Sequence, residues 1–133
     1  MKNKIVLTIG IWDFEDITHQ EISDALGLTP IKIFVKGEKT NPKFQVLAKK
    51  NGWMYSQVDR EYEPFKDQLD SLIELIKSRQ TIWKKFARNY YCELSCAIFK
   101  DDAEESMPWV HLTREHIGFL NEFRIEFDLD LYA

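Results

Sequence analysis

Four carboxylates, Glu122, Glu126, Asp128 and Asp130, gather near the end of the chain as one negative cluster. In "IEFDLDLY" the last three alternate with apolar residues, so a strand would present them together on one face. Two chemistries suit such a row. It could hold a cation, or it could draw in a basic protein by long-range attraction. The plainer alternative is a solvated sheet face, where polar residues alternate with apolar ones. On the strand reading Ile125, Phe127, Leu129 and Leu131 face inward. A second acidic group, Asp101, Asp102, Glu104 and Glu105 in "KDDAEESMP", reads first as a turn and next as a rim of the same surface.

The remaining reactive side chains assemble into nothing. The histidines are His19, His111 and His116. The last two are five positions apart, not the i, i+4 pair of a helical zinc motif, and fit surface or capping roles. Ser71, Ser95 and Ser106 lack a Gly-x-Ser-x-Gly elbow. "LTIGIWDF" has one glycine and no Gly-Lys pair, so it is no phosphate loop. No nucleophile, base and orienting group come together. The expectation is no enzyme, no cofactor and no metal. Cys92 and Cys96 would share one strand face roughly 13 Å apart. A disulfide needs Cα atoms within about 7 Å, so both are expected as small buried hydrophobes in a reducing cytosol.

Trp12, Trp53, Trp83 and Trp109 could stack on a ligand, although packing is the commoner use of a tryptophan. Trp53 and Tyr55 share a strand face and are the best candidates for an exposed aromatic patch. With Trp83 they could line a pocket between sheet and helices. Lys84, Lys85 and Arg88 form a small basic patch, which on an acidic protein is a weak nucleic-acid signal.

The elements that must position these groups follow from pattern. "KIVLTIGIWDF" suits a strand from about Lys4 to Phe14. Thr18 and Glu21 make a capping box, Ile17 and Ile22 a hydrophobic staple, and Gly27 with Pro30 stops the helix after about two turns. "IKIFVKG" is a second strand, and residues 41–50 fit either a helical turn or an edge strand. "NGWMYSQV" restarts an extended segment. Phe65, Leu69, Leu72, Ile73 and Ile76 recur at helical spacing after Pro64. "QTIWKKFARNY" is a second short helix or an extension after a bend. "YYCELSCAIF" is a strand with Cys92, Leu94, Cys96 and Ile98 inward. Thr113 caps a last helix, with Leu112 and Ile117 at staple positions.

"ITHQEISDAL" and "LTREHIGFLN" align at a constant offset of 95 positions. That echo points to a strand–helix–strand pseudo-repeat. The expected fold is α+β: one domain over residues 1–133, a mainly antiparallel sheet of five or six strands, and helices packed on one face as a ferredoxin-like variant.

Bulk properties agree. The chain has 133 residues, 44% hydrophobic and 30% charged, as an ordinary globular domain has. Its net charge of −4 works against nucleic acid and anionic membrane. No apolar run approaches the roughly 18 residues of a membrane span. "MKNKIVLTIGIWDFED" superficially resembles a signal peptide, but Trp12, Asp13, Glu15 and Asp16 interrupt it, so a cytoplasmic protein is expected.

One resemblance extends over nearly the whole chain. The ordered set "ITHQEISDALGLTP", a Lys36-Gly37 turn, a Gly52-Trp53 strand start, a long amphipathic helix and a C-terminal "FDLDLY" resembles the bacterial domain of unknown function family numbered 4279. The chain departs from that pattern in "WKKFARNYYC" and in the Asn-Glu-Phe-Arg stretch before the last strand. The resemblance implies no activity and no catalytic residues. It implies kinship with proteins carried near bacterial toxin genes, hence an immunity role for some members. The expected function is a non-catalytic protein-binding module, an immunity protein whose partner is a basic toxin. The alternative is a small-molecule or peptide sensor. Partner-binding residues are then Glu122, Glu126, Asp128, Asp130, Trp53 and Tyr55. Nothing in the pattern sets an oligomeric state.

Overall fold

A computed structural model describes residues 3–102 and 106–132. Glu104 and Glu105 of the second acidic group lie outside the described residues. The elements in order are β1 (Lys4–Trp12), α1 (His19–Leu26), β2 (Lys32–Phe34), β3 (Gly52–Ser56), a single 3-10 turn at Val58–Arg60, α2 (Phe65–Lys77), α3 (Gln80–Asn89), β4 (Tyr91–Phe99), α4 (Arg114–Glu122) and β5 (Ile125–Tyr132). The five strands form one open sheet in the order β2-β3-β1-β4-β5. Only β4 and β5 run parallel; the other pairs are antiparallel. No described helix is long and apolar enough to cross a membrane.

The helix ends are where the capping signals put them. The Thr18 side chain accepts from the Glu21 N–H at 3.0 Å, and the Glu21 carboxylate accepts from the Thr18 N–H at 3.0 Å. Two of the helix's free donors are thereby satisfied. Gly27 takes the left-handed conformation (φ 66°), and the N–H groups of Gly27 and Leu28 both return to the Ser23 carbonyl. Between α2 and α3 the helical path breaks at Ser78 and Arg79, so "QTIWKKFARNY" is a separate helix. The Arg79 guanidinium then donates to the Ala25 carbonyl at 3.0 Å, tying this break to α1.

The helices cover one face of the sheet. Ile5, Leu7, Ile9 and Ile11 of β1 and Cys92, Leu94, Cys96 and Ile98 of β4 supply the sheet side of the core. Leu69, Leu72 and Ile76 of α2, with Trp83, Phe86, Phe119 and Leu120, supply the helix side. Where α2 and α4 meet Ile9, Leu94 and Ile125, no room is left for a water molecule.

Four sequence expectations need correction. β1 ends at Trp12 rather than Phe14, because Asp13 turns left-handed (φ 62°) and breaks the extended path. β2 has only three residues. Residues 41–50 are neither helix nor strand; they form a loop closed by a single bridge between Lys39 and Leu47. Finally, Leu129 and Leu131 are not inside. Ile125 is buried and Phe127 meets the Phe65 ring edge-on at 6.2 Å, but no helix covers the sheet beyond that point. Leu129 is 43% and Leu131 62% exposed.

Candidate functional site

The uncovered face of the sheet carries the acidic row. On β5 it presents Glu126, Asp128 and Asp130, and on the adjacent β4 it presents Glu93, Ser95 and Ala97. Parallel register sets Glu93 beside Glu126, Ser95 beside Asp128 and Ala97 beside Asp130. The row thus contains four carboxylates, and none is ion-paired among the described residues. Their crowding acts on Asp128. Repulsion from Asp130, with a further contribution from Glu93, holds the Asp128 carboxyl above its ordinary value.

Glu93 is held in place from both sides. It accepts from the Tyr91 hydroxyl at 2.6 Å and from the Ser95 hydroxyl at 2.9 Å. That hydrogen bond, together with burial and the charges of Glu126 and Asp128, pushes the Tyr91 phenol well above its usual value. Tyr91 therefore stays neutral and acts as a donor to the row. Tyr91 and Glu93 were not among the residues singled out from sequence. Alternation in "YYCELSC" places both on the outer face, but their adjacency to β5 depends on a pairing that no local pattern states.

Successive side chains on one strand face stand about 7 Å apart. The row is therefore spread out rather than convergent. Among the described residues no three His, Cys, Asp or Glu side chains come together as a metal site requires. The arrangement suits an extended positive surface better than one ion.

Glu122 is not part of this row. It ends α4 on the helix-covered side and accepts from Lys84 at 2.7 Å, while the same ammonium lies 5.0 Å over the Phe123 ring. The four-member cluster expected from sequence thus loses Glu122 and gains Glu93. Only Phe123 and Arg124, the latter with a positive φ (53°), lie between Glu122 and β5, and this tight turn sends the two to different faces.

Trp53 is no surface patch either. It is fully buried; its indole N–H donates to the Ser23 hydroxyl at 3.0 Å, and its ring meets Trp83 edge-on at 6.4 Å. Tyr55 stacks on it at 6.5 Å and is half-buried. The three rings fill the sheet–helix space that a pocket would need. They fasten β3 to α1 and α3 instead.

On the uncovered face a different tryptophan does the covering. The Trp12 indole lies over Gly10 and Gly52, where a Cβ would stand 2.6 and 2.4 Å from its ring atoms. Trp12 also contacts Phe34 at 5.3 Å and, with Val46, Leu47, Lys49 and Lys50 of the β2–β3 loop, borders an apolar cleft of about 410 Å³.

His116 carries the strongest-looking dyad and uses it structurally. Its Nδ1 accepts from the Thr113 N–H at 3.0 Å, so Nε2 bears the proton and donates to Asp70 at 2.8 Å. Both nitrogens are engaged, which leaves no lone pair to serve as a base. Lys66 and His116 together hold the Asp70 carboxyl below its ordinary value, with Lys66 the larger cause. The result is a clamp between α2 and α4 beside an open groove of about 450 Å³. Cys92 and Cys96 are free, buried thiols, pushed by burial up to about 12 and about 11 respectively.

No curated protein and no solved structure matches the chain significantly. The model of one family, described as Domain of unknown function (DUF4279), matches residues 3–133, and on that match the chain belongs to the DUF4279 family.

Proposed function

We propose that this protein is a non-catalytic, cytoplasmic binding module, an immunity protein that neutralises a basic protein toxin through the outer face of its sheet. The observation that carries this reading is the row Glu93, Glu126, Asp128 and Asp130, four carboxylates on one sheet face with no ion-pair partner among the described residues. Leaving like charges adjacent is unfavourable in the isolated protein, and a basic partner relieves it. The engagement of both His116 nitrogens and the burial of both thiols support a non-catalytic role. The first partner to test is the product of any toxin gene adjacent to this one. Asp128→Lys combined with Asp130→Lys should slow its association at least about tenfold at low salt. Association unchanged by the pair of substitutions rejects the reading.

The sensor reading has support at a different place from the sheet–helix interface. The cleft beside Trp12 and Phe34 combines an apolar wall with Lys49 and Lys50, which suits a small aromatic anion. Native mass spectrometry of the purified protein tests it; protein that is repeatedly ligand-free counts against it.

For the fold, we propose a ferredoxin-like variant with a strand–helix–strand pseudo-repeat. Support comes from the β2-β3-β1-β4 order with antiparallel pairing throughout. It comes also from two parallel strand–helix–strand units, β1-α1-β2 and β4-α4-β5, whose helices both start at a threonine capping box. Cross-strand NOEs that place β3 anywhere but between β2 and β1 overturn it.

A further inference from the structure

The two edges of the sheet are treated differently. β2 is three residues long, and its Phe34 carbonyl accepts from His19 Nε2 at 2.8 Å, so this edge is short and partly capped. β5 is eight residues long, and no described strand pairs with its outer side. The Tyr132 carbonyl accepts from the Lys100 N–H at 3.1 Å, which fixes the alternation of the backbone. Even-numbered residues turn their N–H and C=O toward β4. Those of Phe127, Leu129 and Leu131 turn outward.

Side chains along this edge are two-sided. Leu129 and Leu131 stand exposed on one face, and Asp128 and Asp130 on the other. A long edge with exposed apolar residues is a template for another strand. A second copy of this chain is a poor occupant. Pairing β5 with itself antiparallel would set Glu126, Asp128 and Asp130 of both copies on the same face, like charge against like. The complementary strand has lysine or arginine where β5 has acids and apolar residues between them.

We propose that the free edge of β5 receives an extended segment of a basic partner protein, alternating basic and apolar residues, as a sixth strand. The inference rests on the acidic-face reading above and adds the mode of docking. Backbone hydrogen bonds to Phe127, Leu129 and Leu131 supply affinity, and the acidic row with the two leucines supplies selection.

The test uses a synthetic Lys-Val-Lys-Val-Lys-Val-Lys peptide and two backbone-methylated versions, one N-methylated at the valines and one at the lysines. Binding is followed by calorimetry and by amide shifts in the intact protein. The unmodified peptide should bind, shift the amides of Phe127, Leu129 and Leu131, and protect them from exchange. One methylated version should lose at least about tenfold in affinity while the other does not. Loss at the valines marks antiparallel addition, because directly opposed residues then share hydrogen bonds; loss at the lysines marks parallel addition. Equal binding of all three peptides, or none by any, overturns edge docking. The acidic-face reading is judged separately by the Asp128→Lys, Asp130→Lys pair against the folded partner. If that pair slows association while the peptides show no edge dependence, the face reading stands and the edge proposal falls.

Discussion

Asp70 and Asp128 are carboxylates of the same type with opposite consequences for pH. Asp70 is held low by Lys66 and His116, so its contribution to stability is present above the unfolded value and is lost as pH falls through the folded one. Asp128 is held high by Asp130, so its charge opposes the fold, and that penalty grows as pH rises through its folded value. Two outcomes follow from the signs. Asp70→Asn should lower the melting temperature at pH 7 and leave it nearly unchanged near pH 2. Asp130→Asn should raise it at pH 7 in low salt, with the gain vanishing in acid. Thermal scans across pH read both. His116 gives a third: His116→Ala removes a cap and the clamp to Asp70, and should cost about 1–2 kcal/mol in urea unfolding. His116→Gln should recover part of this, because glutamine also serves at that capping position. The Thr113 cap was readable in the sequence; its completion into a box by His116 was not, since Glu or Gln is the usual N3 partner. A capping role was among those expected of His116; its bond to Asp70 was not readable, because that partner lies 46 positions away on another helix.

At the scale of elements, the sequence carries local signals and not which element faces which. Caps, glycine stop and amphipathic spacing are short-range, so α1, α2 and the inward face of β4 could be derived residue by residue. Burial of Leu129 and Leu131 could not, since alternation says which side a residue is on and not whether a helix reaches it. Trp53 misled for the same reason: "NGWMYS" states a strand face, and only the arrival of α1 and α3 over it makes that face core. The close approach of Trp12 to Gly10 of its own strand and Gly52 of β3 was equally invisible, yet it leaves a sharp expectation. A methyl group at Gly52 would stand 2.4 Å from the Trp12 ring, so the indole would have to move. Gly52→Ala should therefore destabilise by about 1–3 kcal/mol and shift Trp12 emission as the indole is displaced. Unchanged stability would mean that the ring swings away at no cost.

Across the whole molecule, two patches of opposite sign lie toward opposite edges of the sheet. Lys32, Lys36, Lys39, Lys43, Lys49 and Lys50 lie on β2 and the loop after it, while Glu93, Glu126, Asp128 and Asp130 lie at the opposite edge of the sheet. A basic partner approaching from a distance is attracted to one edge and repelled from the other, which orients it before contact. The association rate should fall steeply as salt rises, and the slope should flatten in the Asp128→Lys, Asp130→Lys variant, because screening acts within about 10 Å at 0.1 M salt. Stopped-flow measurements over a salt series check this. The acidic half of this pattern was readable in "IEFDLDLY". Its exact membership was not, since Glu93 joins and Glu122 leaves through strand pairing and helix placement.

The two thiols of β4 also give the protein an internal clock. Cys92 and Cys96 sit on the core side of the strand that lies between β1 and β5, and alkylating reagents reach them only when that strand opens. Their labelling rate therefore times the opening of the sheet's interior in unmodified protein. An occupant that lengthens the sheet at β5 stabilises the closed state, and it should slow that clock even though it touches neither sulfur.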